Sequence, residues 1–325
     1  MKLTHEQVAA LLDGALWWEV TKEDALLPHR FTNEQAAWYM QDPDLGYKNL
    51  ATAGVRLDFT TDADAFGFTY IASLASSRRF CYVDVAVDGA LVAHEGEEQV
   101  RHLTKRVEIG LPRGTHRVTV FLPGLFVASL AEVTLTDGAT FAPVAKKRRL
   151  LSYGDSITQG YDAVYPSLAY PTQLAVALDA SLVNQGIGAE VFRPGMPAAL
   201  PEEPDIVTVA YGTNDFVLRE PEEAEAAAAA FFRRVRDLFP HARLFALTPV
   251  WRADADTCPT RFASFEAARD MVRRAAAVPD CVVIEGDGLL PHLPAMCSDG
   301  HLHPNDLGFC AYAAALLAAM RPFLP

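Results

Sequence analysis

After residue 150, short apolar runs alternate with longer segments of helical pattern, and this alternation constrains the fold more than any other feature of the sequence. The apolar runs predict five strands, at 150–153, 181–184, 206–210, 244–247 and 282–284. The helical patterns lie at 167–180, 220–239, 260–277 and 307–320. Strands that alternate with helices form a parallel sheet, because each helix carries the chain back across one face of it. The second half of the chain is therefore predicted to be an α/β domain with a parallel sheet.

Residues 50–140 show a different pattern, in which apolar side chains tend to occupy every second position. An Asp-Gly pair at 88–89 separates two such runs, and this pair is typical of a two-residue hairpin turn. A second turn, at 112–114, is expected to return the chain along 118–121. Short strands with turns about every 8 to 12 residues are typical of an antiparallel β-sandwich.

The length of 325 residues exceeds what one hydrophobic core usually supports, so we expect two domains. Residues 1–145 are interpreted as a β-sandwich domain and residues 146–325 as the α/β domain. The basic run at 146–149 is interpreted as a solvated linker. Near the N-terminus, a capping box at 4–7 predicts a short helix through Leu12. The Trp pair at 17–18 is interpreted as sandwich core or inter-domain packing.

Charge and cysteine usage exclude several classes of function. The formal net charge is -13, and an acidic surface repels phosphate backbones, so no nucleic-acid partner is expected. No apolar run reaches the roughly 20 residues of a membrane span, and no membrane partner is expected. Five cysteines match no metal or redox spacing and are expected to be reduced thiols. Together with the lack of a signal-peptide pattern, this favours a cytoplasmic protein.

Polar residues follow four of the predicted strands. They are Gly-Asp-Ser-Ile-Thr at 154–158, Asn-Gln-Gly-Ile-Gly-Ala at 184–189, Tyr-Gly-Thr-Asn-Asp at 211–215 and Ser-Asp-Gly-His-Leu-His-Pro at 298–304. The carboxyl ends of parallel strands meet at one edge of a sheet, so these clusters are expected to form one site.

The residue types in these clusters are those that acyl transfer requires. Ser156 is the candidate nucleophile, His303 the base that takes its proton, and Asp299 the carboxylate that orients the base. A tetrahedral intermediate also needs neutral donors aimed at its oxyanion. The candidates are the backbone N–H of Ser156, those of the turn at Gly188 and Ala189, and the side-chain amide of Asn214.

The motifs at 154–158, 212–215 and 303–308 together resemble those of the SGNH/GDSL hydrolase family. The resemblance covers about residues 150–321. It implies a flavodoxin-like three-layer fold, ester or acyl substrates, and no metal or other cofactor. The preceding sandwich resembles the jelly-roll domains that precede such modules in some carbohydrate esterases and some acyltransferases.

Two departures from the family pattern affect individual roles. A glycine often follows the residue after Asn-x-x-Ile, whereas Ala189 occupies that position here, so either Gly188 or Ala189 can supply the donor. The family usually spaces its last Asp and His three residues apart, whereas Asp299 and His303 are four apart with His301 between them. His303 is preferred over His301 as the base because Pro304 favours an extended backbone there. A backbone carbonyl is the alternative to Asp299 for orienting the ring.

Further residues near these motifs have two interpretations each. Asp155, Tyr161, Trp251 and His301 are candidates for lining a substrate pocket. Asp155 can equally cap a helix, and Trp251 can equally be a packed aromatic. Asp215 is interpreted as structural, holding its loop through backbone hydrogen bonds.

The sequence thus predicts a serine-nucleophile hydrolase of carboxylic esters that works through an acyl-enzyme. Short-chain acyl esters or acetylated, carbohydrate-like molecules are the expected substrates. One alternative is an acyltransferase that uses the same residues with an alcohol acceptor. A second alternative is a carbohydrate-binding protein without catalysis.

Overall fold

A computed structural model describes residues 1–324 of the chain, which form two compact units. The first unit comprises Met1–Lys146 together with the short segment Val164–Ser167. The second comprises Lys147–Ala163 and the described residues from Leu168 onward. The chain therefore leaves the second unit for one short segment and then returns to it.

The first unit consists mainly of two antiparallel sheets. In chain order its elements are α1 (His5–Ala10), β1 (Leu12–Asp13), β2 (Trp17–Val20), β3 (Leu26–His29), α2 (Asn33–Tyr39), β4 (Arg56–Thr61), β5 (Ala65–Leu74), β6 (Cys81–Val87), β7 (Ala90–Glu97), β8 (His102–Gly110), β9 (His116–Phe121), β10 (Phe126–Leu135) and β11 (Phe141–Pro143). One sheet has the strand order β1-β4-β9-β6-β7, with β11 paired to β4, and the other has the order β2-β3-β10-β5-β8. Every strand pair is antiparallel, which confirms the predicted β-rich first half.

The alternating pattern of the strands explains how the sandwich core forms. On β5, Phe66, Phe68 and Tyr70 are buried at every second position. Phe59 on β4 meets Phe66 edge-on, with ring centroids 5.3 Å apart, so apolar faces of the two sheets pack together. Burial of such aromatic side chains is the main favourable contribution to the stability of this unit.

The two predicted turns have different outcomes. The pair at 88–89 joins β6 and β7, and both residues have positive φ, as a tight hairpin turn of this kind requires. The turn at 112–114 does not form a hairpin. Strand β8 before it pairs with β5, whereas β9 after it pairs with β4 and β6, so this turn carries the chain from one sheet to the other. The periodicity of single strands does not specify which strand becomes the partner.

Three local interpretations are also decided here. The capping box of Thr4 and Gln7 is present, although the helix ends at Ala10, two residues before the expected end. The Trp pair is not core, since Trp17 is half-buried and stacks on His29, and Trp18 is 36% exposed. The basic run is not a solvated linker. Its first residue, Lys146, pairs with a buried aspartate, and its last two residues begin a strand.

The segment Val164–Ser167 belongs to the first unit through buried polar contacts. The backbone N–H and hydroxyl of Ser167 donate to Asp84 Oδ2 at 2.9 and 2.5 Å. The other oxygen of this fully buried carboxylate lies 2.7 Å from His94 Nδ1. The His94 ring is stacked between those of Tyr82 and Tyr165. The buried carboxylate on β6 is thus satisfied by His94 of β7 and by Ser167 of this segment.

The second unit has the alternating elements that the sequence predicts. In chain order they are β12 (Arg148–Gly154), α3 (Ser156–Gln159), α4 (Tyr170–Ala177), β13 (Ala180–Gly186), β14 (Ile206–Ala210), α5 (Thr213–Leu218), α6 (Pro221–Leu238), β15 (Arg243–Leu247), α7 (Phe265–Ala275), β16 (Cys281–Ile284) and α8 (Asp306–Met320). The strand order is β13-β12-β14-β15-β16, all parallel, which is the flavodoxin-like order. The short helix α5 was not predicted.

Helices cover both faces of this sheet and give a three-layer α/β fold. On one face, Phe231 of α6, Met271 of α7 and Val207 of β14 belong to one buried hydrophobic cluster. On the other, Leu174 of α4, Leu316 of α8 and Leu182 of β13 belong to a second buried cluster. All five cysteines are free. Within residues 1–324, no helix has the combination of length and apolar character that a membrane span needs.

Candidate active site

The turn between β12 and α3 presents Ser156 at the carboxyl edge of the parallel sheet. Gly154 ends β12, and a Cβ there would lie 1.9 Å from the Thr158 hydroxyl, so only glycine allows this close turn. The carboxylate of Asp155 then caps α3 by accepting a hydrogen bond from the Ile157 N–H at 3.0 Å. Ser156 is thereby held at the first position of the helix.

Ser156, His303 and Asp299 form a continuous chain of hydrogen bonds. The Ser156 Oγ lies 2.9 Å from His303 Nε2, and His303 Nδ1 lies 2.7 Å from Asp299 Oδ2. A carboxylate on Nδ1 favours the tautomer that carries its proton there, which leaves Nε2 free to accept the serine proton. Ser156 and His303 are 147 positions apart in the sequence, so only the fold brings them together.

The loop before α8 holds Asp299 as a charged acceptor. Its carboxylate accepts the backbone N–H groups of His301, Leu302 and His303 at 2.8 to 3.1 Å. Burial raises the pKa of Asp299, but the hydrogen bonds from His303 and from the Leu302 and His301 backbone outweigh it and hold the pKa well below its usual range. Gly300 adopts φ +75°, and this left-handed turn accommodates the four-residue spacing.

His301 does not share this geometry. Its ring Nδ1 is 2.9 Å from the backbone oxygen of Asp299, and its side chain is 45% exposed. Its own carbonyl accepts the N–H of Ala253, which fixes the backbone of this loop. The structure thus brings His303, and not His301, to Ser156.

The turn after β13 distinguishes the two candidate donors there. The Gly188 N–H donates to Gln159 Oε1 at 2.8 Å, so it is already used. The exposed Ala189 has an N–H with no hydrogen-bond partner among residues 1–324, and the same holds for the N–H of Ser156. The Asn214 side-chain amide donates one hydrogen to the Glu190 carbonyl at 2.8 Å, which leaves its second hydrogen available. The available donors are therefore Ser156, Ala189 and Asn214.

Ala189 occupies an unusual backbone conformation. Its φ is +71°, in the left-handed region, which costs a residue with a Cβ about 1 kcal/mol. A hydrogen bond closes this turn, in which the Glu190 N–H donates to the Ile187 carbonyl at 3.1 Å. A glycine would adopt this turn without strain, which gives a physical reason for the glycine that the family often has here.

The region that contains these residues matches a known protein family. Residues 152–309 match the model of the GDSL-like Lipase/Acylhydrolase family. This segment is a GDSL-like domain. The matched residues run from β12 into α8 and include every residue of the hydrogen-bonded chain described above.

Solved structures share this fold over most of the chain. Salicylyl-acyltransferase SsfX3, from a tetracycline biosynthetic pathway, has a TM-score of 0.84 and 23% identity, over 99% of this chain and 97% of that one. A family two carbohydrate esterase from Clostridium thermocellum, in complex with cellohexaose, has a TM-score of 0.63 and 17% identity, over 92% and 98%. An acetyl xylan esterase from Butyrivibrio proteoclasticus has a TM-score of 0.63 and 14% identity, over 99% and 98%. None of the curated proteins compared with this chain matches it.

Tyr161 and Asp155 are buried parts of the GDSL-like domain. The ring of Tyr161 lies 5.7 Å from that of His303, and a Cβ on Gly188 would be 2.6 Å from its hydroxyl, so Tyr161 fills the space between the two loops. Asp155 is 3% exposed, and burial raises its pKa to about 6. Its carboxylate serves as a helix cap, and this burial argues against contact with substrate.

Two other residues of the GDSL-like domain differ in exposure. Trp251 is half-buried and stacks on His292, with ring centroids 5.2 Å apart. Asp215 is fully buried and accepts the Phe192 N–H at 3.3 Å and Arg219 at 3.4 Å. Burial raises the pKa of Asp215 to about 7, against the opposing effects of Arg219 and the Phe192 N–H. Asp215 therefore holds its loop through a backbone hydrogen bond, as expected.

Sequence reasoning missed Asp162. Asp162 is 6% exposed. Its carboxylate lies within 4.8 Å of the Asp299 carboxylate and of a ring nitrogen of His303, and these two also lie within that distance of each other. These groups are also possible metal ligands, but both His303 nitrogens are engaged, so a cation would have to displace Ser156 or Asp299. An aspartate in a Gly-Tyr-Asp-Ala stretch looks like an ordinary turn residue, and no local signal distinguishes it.

Proposed function

We propose that this protein is a serine-nucleophile hydrolase of carboxylic esters that works through an acyl-enzyme. The observation that carries the proposal is the chain from Ser156 Oγ through the His303 ring to the Asp299 carboxylate. We place catalysis in residues 146–325, with residues 1–145 as an accessory domain. The same chain of groups argues against a purely carbohydrate-binding protein, which has no use for a base on a serine.

The reaction follows from these positions in two half-reactions. His303 Nε2 removes the Ser156 proton as Oγ bonds to the ester carbonyl carbon, and the carbonyl oxygen becomes an oxyanion. The N–H groups of Ser156 and Ala189 and the amide of Asn214 stabilise that oxyanion. The imidazolium then protonates the leaving alcohol as its bond to carbon breaks. A water enters, His303 takes its proton, and collapse of the second intermediate releases the acid and restores Ser156.

We propose that the substrate is a small ester with a short acyl group, including acylated sugars. Support comes from the similarity of fold to a carbohydrate esterase solved with cellohexaose and to an acetyl xylan esterase. The half-buried Trp251 is the candidate for a wall of the pocket, because it follows β15 at the same sheet edge as Ser156.

A second function has its own observation. The salicylyl-acyltransferase shares the fold over 99% of this chain, so transfer to an alcohol acceptor is the alternative outcome of the same acyl-enzyme. The two reactions differ only in whether water or an alcohol accepts the acyl group. The triad geometry is compatible with both.

The test has three steps. A fluorophosphonate should add one adduct, located at Ser156 by mass spectrometry and absent from Ser156→Ala. The enzyme should release p-nitrophenol from acetyl to octanoyl esters. Product analysis with an excess of alcohol then separates the functions, since a hydrolase yields mainly free acid and an acyltransferase mainly the new ester. Labelling at another residue, with loss of activity, would refute the assignment of Ser156.

A further inference from the structure

The turn that follows α3 brings a second carboxylate to the base. The Tyr161 N–H donates to the Ser156 carbonyl at 2.9 Å, and the Ala163 N–H donates to the Gly160 carbonyl at 3.1 Å. Asp162 lies between these two anchored residues and adopts φ +69°. Its side chain is buried, so its carboxylate is directed into the protein.

Both carboxylates lie close to one imidazole ring. The ligand atoms of Asp162, Asp299 and His303 are all within 4.8 Å of one another. Asp299 holds Nδ1, and Ser156 holds Nε2, so the role of orienting the ring is already filled. A second carboxylate at this distance is close enough to act on the ring through its charge, whatever other contacts it makes.

The Cys297 thiol lies near the same two carboxylates. Burial raises the pKa of Cys297 to about 11, and the charges of Asp299 and Asp162 add to the effect. The groups that face His303 are Ser156, Asp299, Asp162, Asp155 and the ring of Tyr161. None of these groups carries a positive charge. The nearest cation that acts on one of them is the buried Arg252 guanidinium, which interacts with Asp155 and pairs with Asp254 at 2.6 Å.

We propose that Asp162 is a positioning residue whose charge stabilises the His303 imidazolium during acyl transfer. The proposal rests on the proposed function, in which His303 becomes cationic as it takes the Ser156 proton. The neutral ring of the resting enzyme has only a weak interaction with the carboxylate, whereas the imidazolium of the transition state has a strong one. An interaction that strengthens in the transition state raises kcat rather than substrate binding.

Replacement by asparagine isolates the charge. Asparagine has nearly the same volume as aspartate and, like it, tolerates left-handed backbone, so Asp162→Asn should keep the turn. Asp179→Asn is the matched control. Asp179 also has positive φ, at +50°, and lies in the second unit, but its carboxylate pairs with the exposed Lys147 at 3.4 Å.

Each variant should be measured in three ways. The first is kcat and KM on p-nitrophenyl acetate from about pH 5 to 9, and the second is thermal stability. The third is the NMR titration of the His303 ring, whose signals are assigned by their loss in His303→Ala. For Asp162→Asn we expect kcat to fall roughly tenfold with KM nearly unchanged. The titration midpoint and the acidic limb of kcat/KM should both move to lower pH, because a nearby negative charge has been removed. Asp179→Asn should resemble the wild type in all three.

The outcomes separate this proposal from the proposed function. An unchanged midpoint in Asp162→Asn overturns the proposal whatever the activity. A fall in kcat that accompanies lower thermal stability, with an unmoved acidic limb, also overturns it, since that pattern indicates a merely structural role. If the wild type shows neither ester turnover nor labelling at Ser156, the proposed function fails, and a shifted midpoint then leaves only the electrostatic link between Asp162 and His303.

Discussion

The chain brings an aspartate, a histidine and a serine together twice, once in each unit. The relay group of the second unit consists of Ser156, His303 and Asp299, and the anchor group of the first unit consists of Ser167, His94 and Asp84. In both groups a carboxylate oxygen lies 2.7 Å from the histidine Nδ1. Residue types and this one distance therefore do not distinguish a catalytic group from a structural one.

The position of the serine makes the difference. In the relay group, Ser156 faces the far nitrogen of the ring, so the imidazole can take its proton. In the anchor group, Ser167 donates directly to Asp84, and a carboxylate is a much weaker base than an imidazole. The His94 ring is also enclosed by two tyrosine rings. The order of the hydrogen bonds decides whether these residues can catalyse or only stabilise.

The largest contrast is expected between the two serines. Ser156→Ala removes the nucleophile and should lower kcat on p-nitrophenyl acetate by about 10⁴-fold or more. Ser167→Ala removes only one hydrogen bond to Asp84 and should keep kcat within about threefold, with a stability loss of about 1 kcal/mol. Steady-state kinetics and urea unfolding of both variants measure this contrast. A comparable loss of kcat in Ser167→Ala would show that the anchor group takes part in turnover.

The two aspartates provide the second contrast. Asp299→Asn should lower kcat by roughly 10³ to 10⁴, because the amide favours the wrong ring tautomer. Asp84→Asn should leave kcat nearly unchanged and reduce the free energy of unfolding by about 1 to 3 kcal/mol, since the amide cannot accept from all the donors around it. The same kinetic and unfolding measurements apply. A loss of less than tenfold in Asp299→Asn would favour a Ser-His dyad.

Buried carboxylates give a third contrast, in how stability depends on pH. Hydrogen bonds from Arg117 and Lys146 outweigh burial and lower the pKa of Asp58 in the first unit, so its stabilising contribution is present near neutral pH and is lost in acid. Asp215 has the opposite sign. Its pKa, about 7, lies above the unfolded value, so stability is present below about pH 4 and is lost as the pH rises toward 7.

Asp215→Asn should remove that loss. Relative to the wild type, the free energy of unfolding of the variant should improve between about pH 4 and pH 7.5 by up to about 4 kcal/mol, since one pKa unit corresponds to about 1.4 kcal/mol. Urea unfolding at several pH values measures the difference. A difference that does not change with pH would show that Asp215 is charged throughout this range.

The last contrast concerns the oxyanion donors beside the relay group. Asn214→Ala should lower kcat by about 10² to 10³, the usual cost of one oxyanion donor, with little change in KM. The amide also bonds to the Glu190 carbonyl, so thermal stability must be measured alongside. An unchanged kcat in a stable variant would make Asn214 a loop residue.

Much of the second unit was predictable because its signals are local. Apolar runs that alternate with helical patterns specified all five strands, and the rule that parallel strands end at one edge placed Ser156 near the loop that carries His303. In the first unit, period-two alternation predicted antiparallel sheets but not that the turn at 112–114 joins different sheets. Local patterns describe one strand, whereas pairing depends on strands far away in the chain.

The sequence by itself determined the α/β and β-sandwich classes, the tight turn at Ser156 and the residue types at the sheet edge. Only the tertiary structure decided that Ala189 rather than Gly188 has an available N–H, and that Asp162 lies beside the base. The physical reason is the same in both cases. A side chain or backbone donor has a role only once its partners are known, and partners such as Gln159 and His303 reach these residues only through the packing of separate loops.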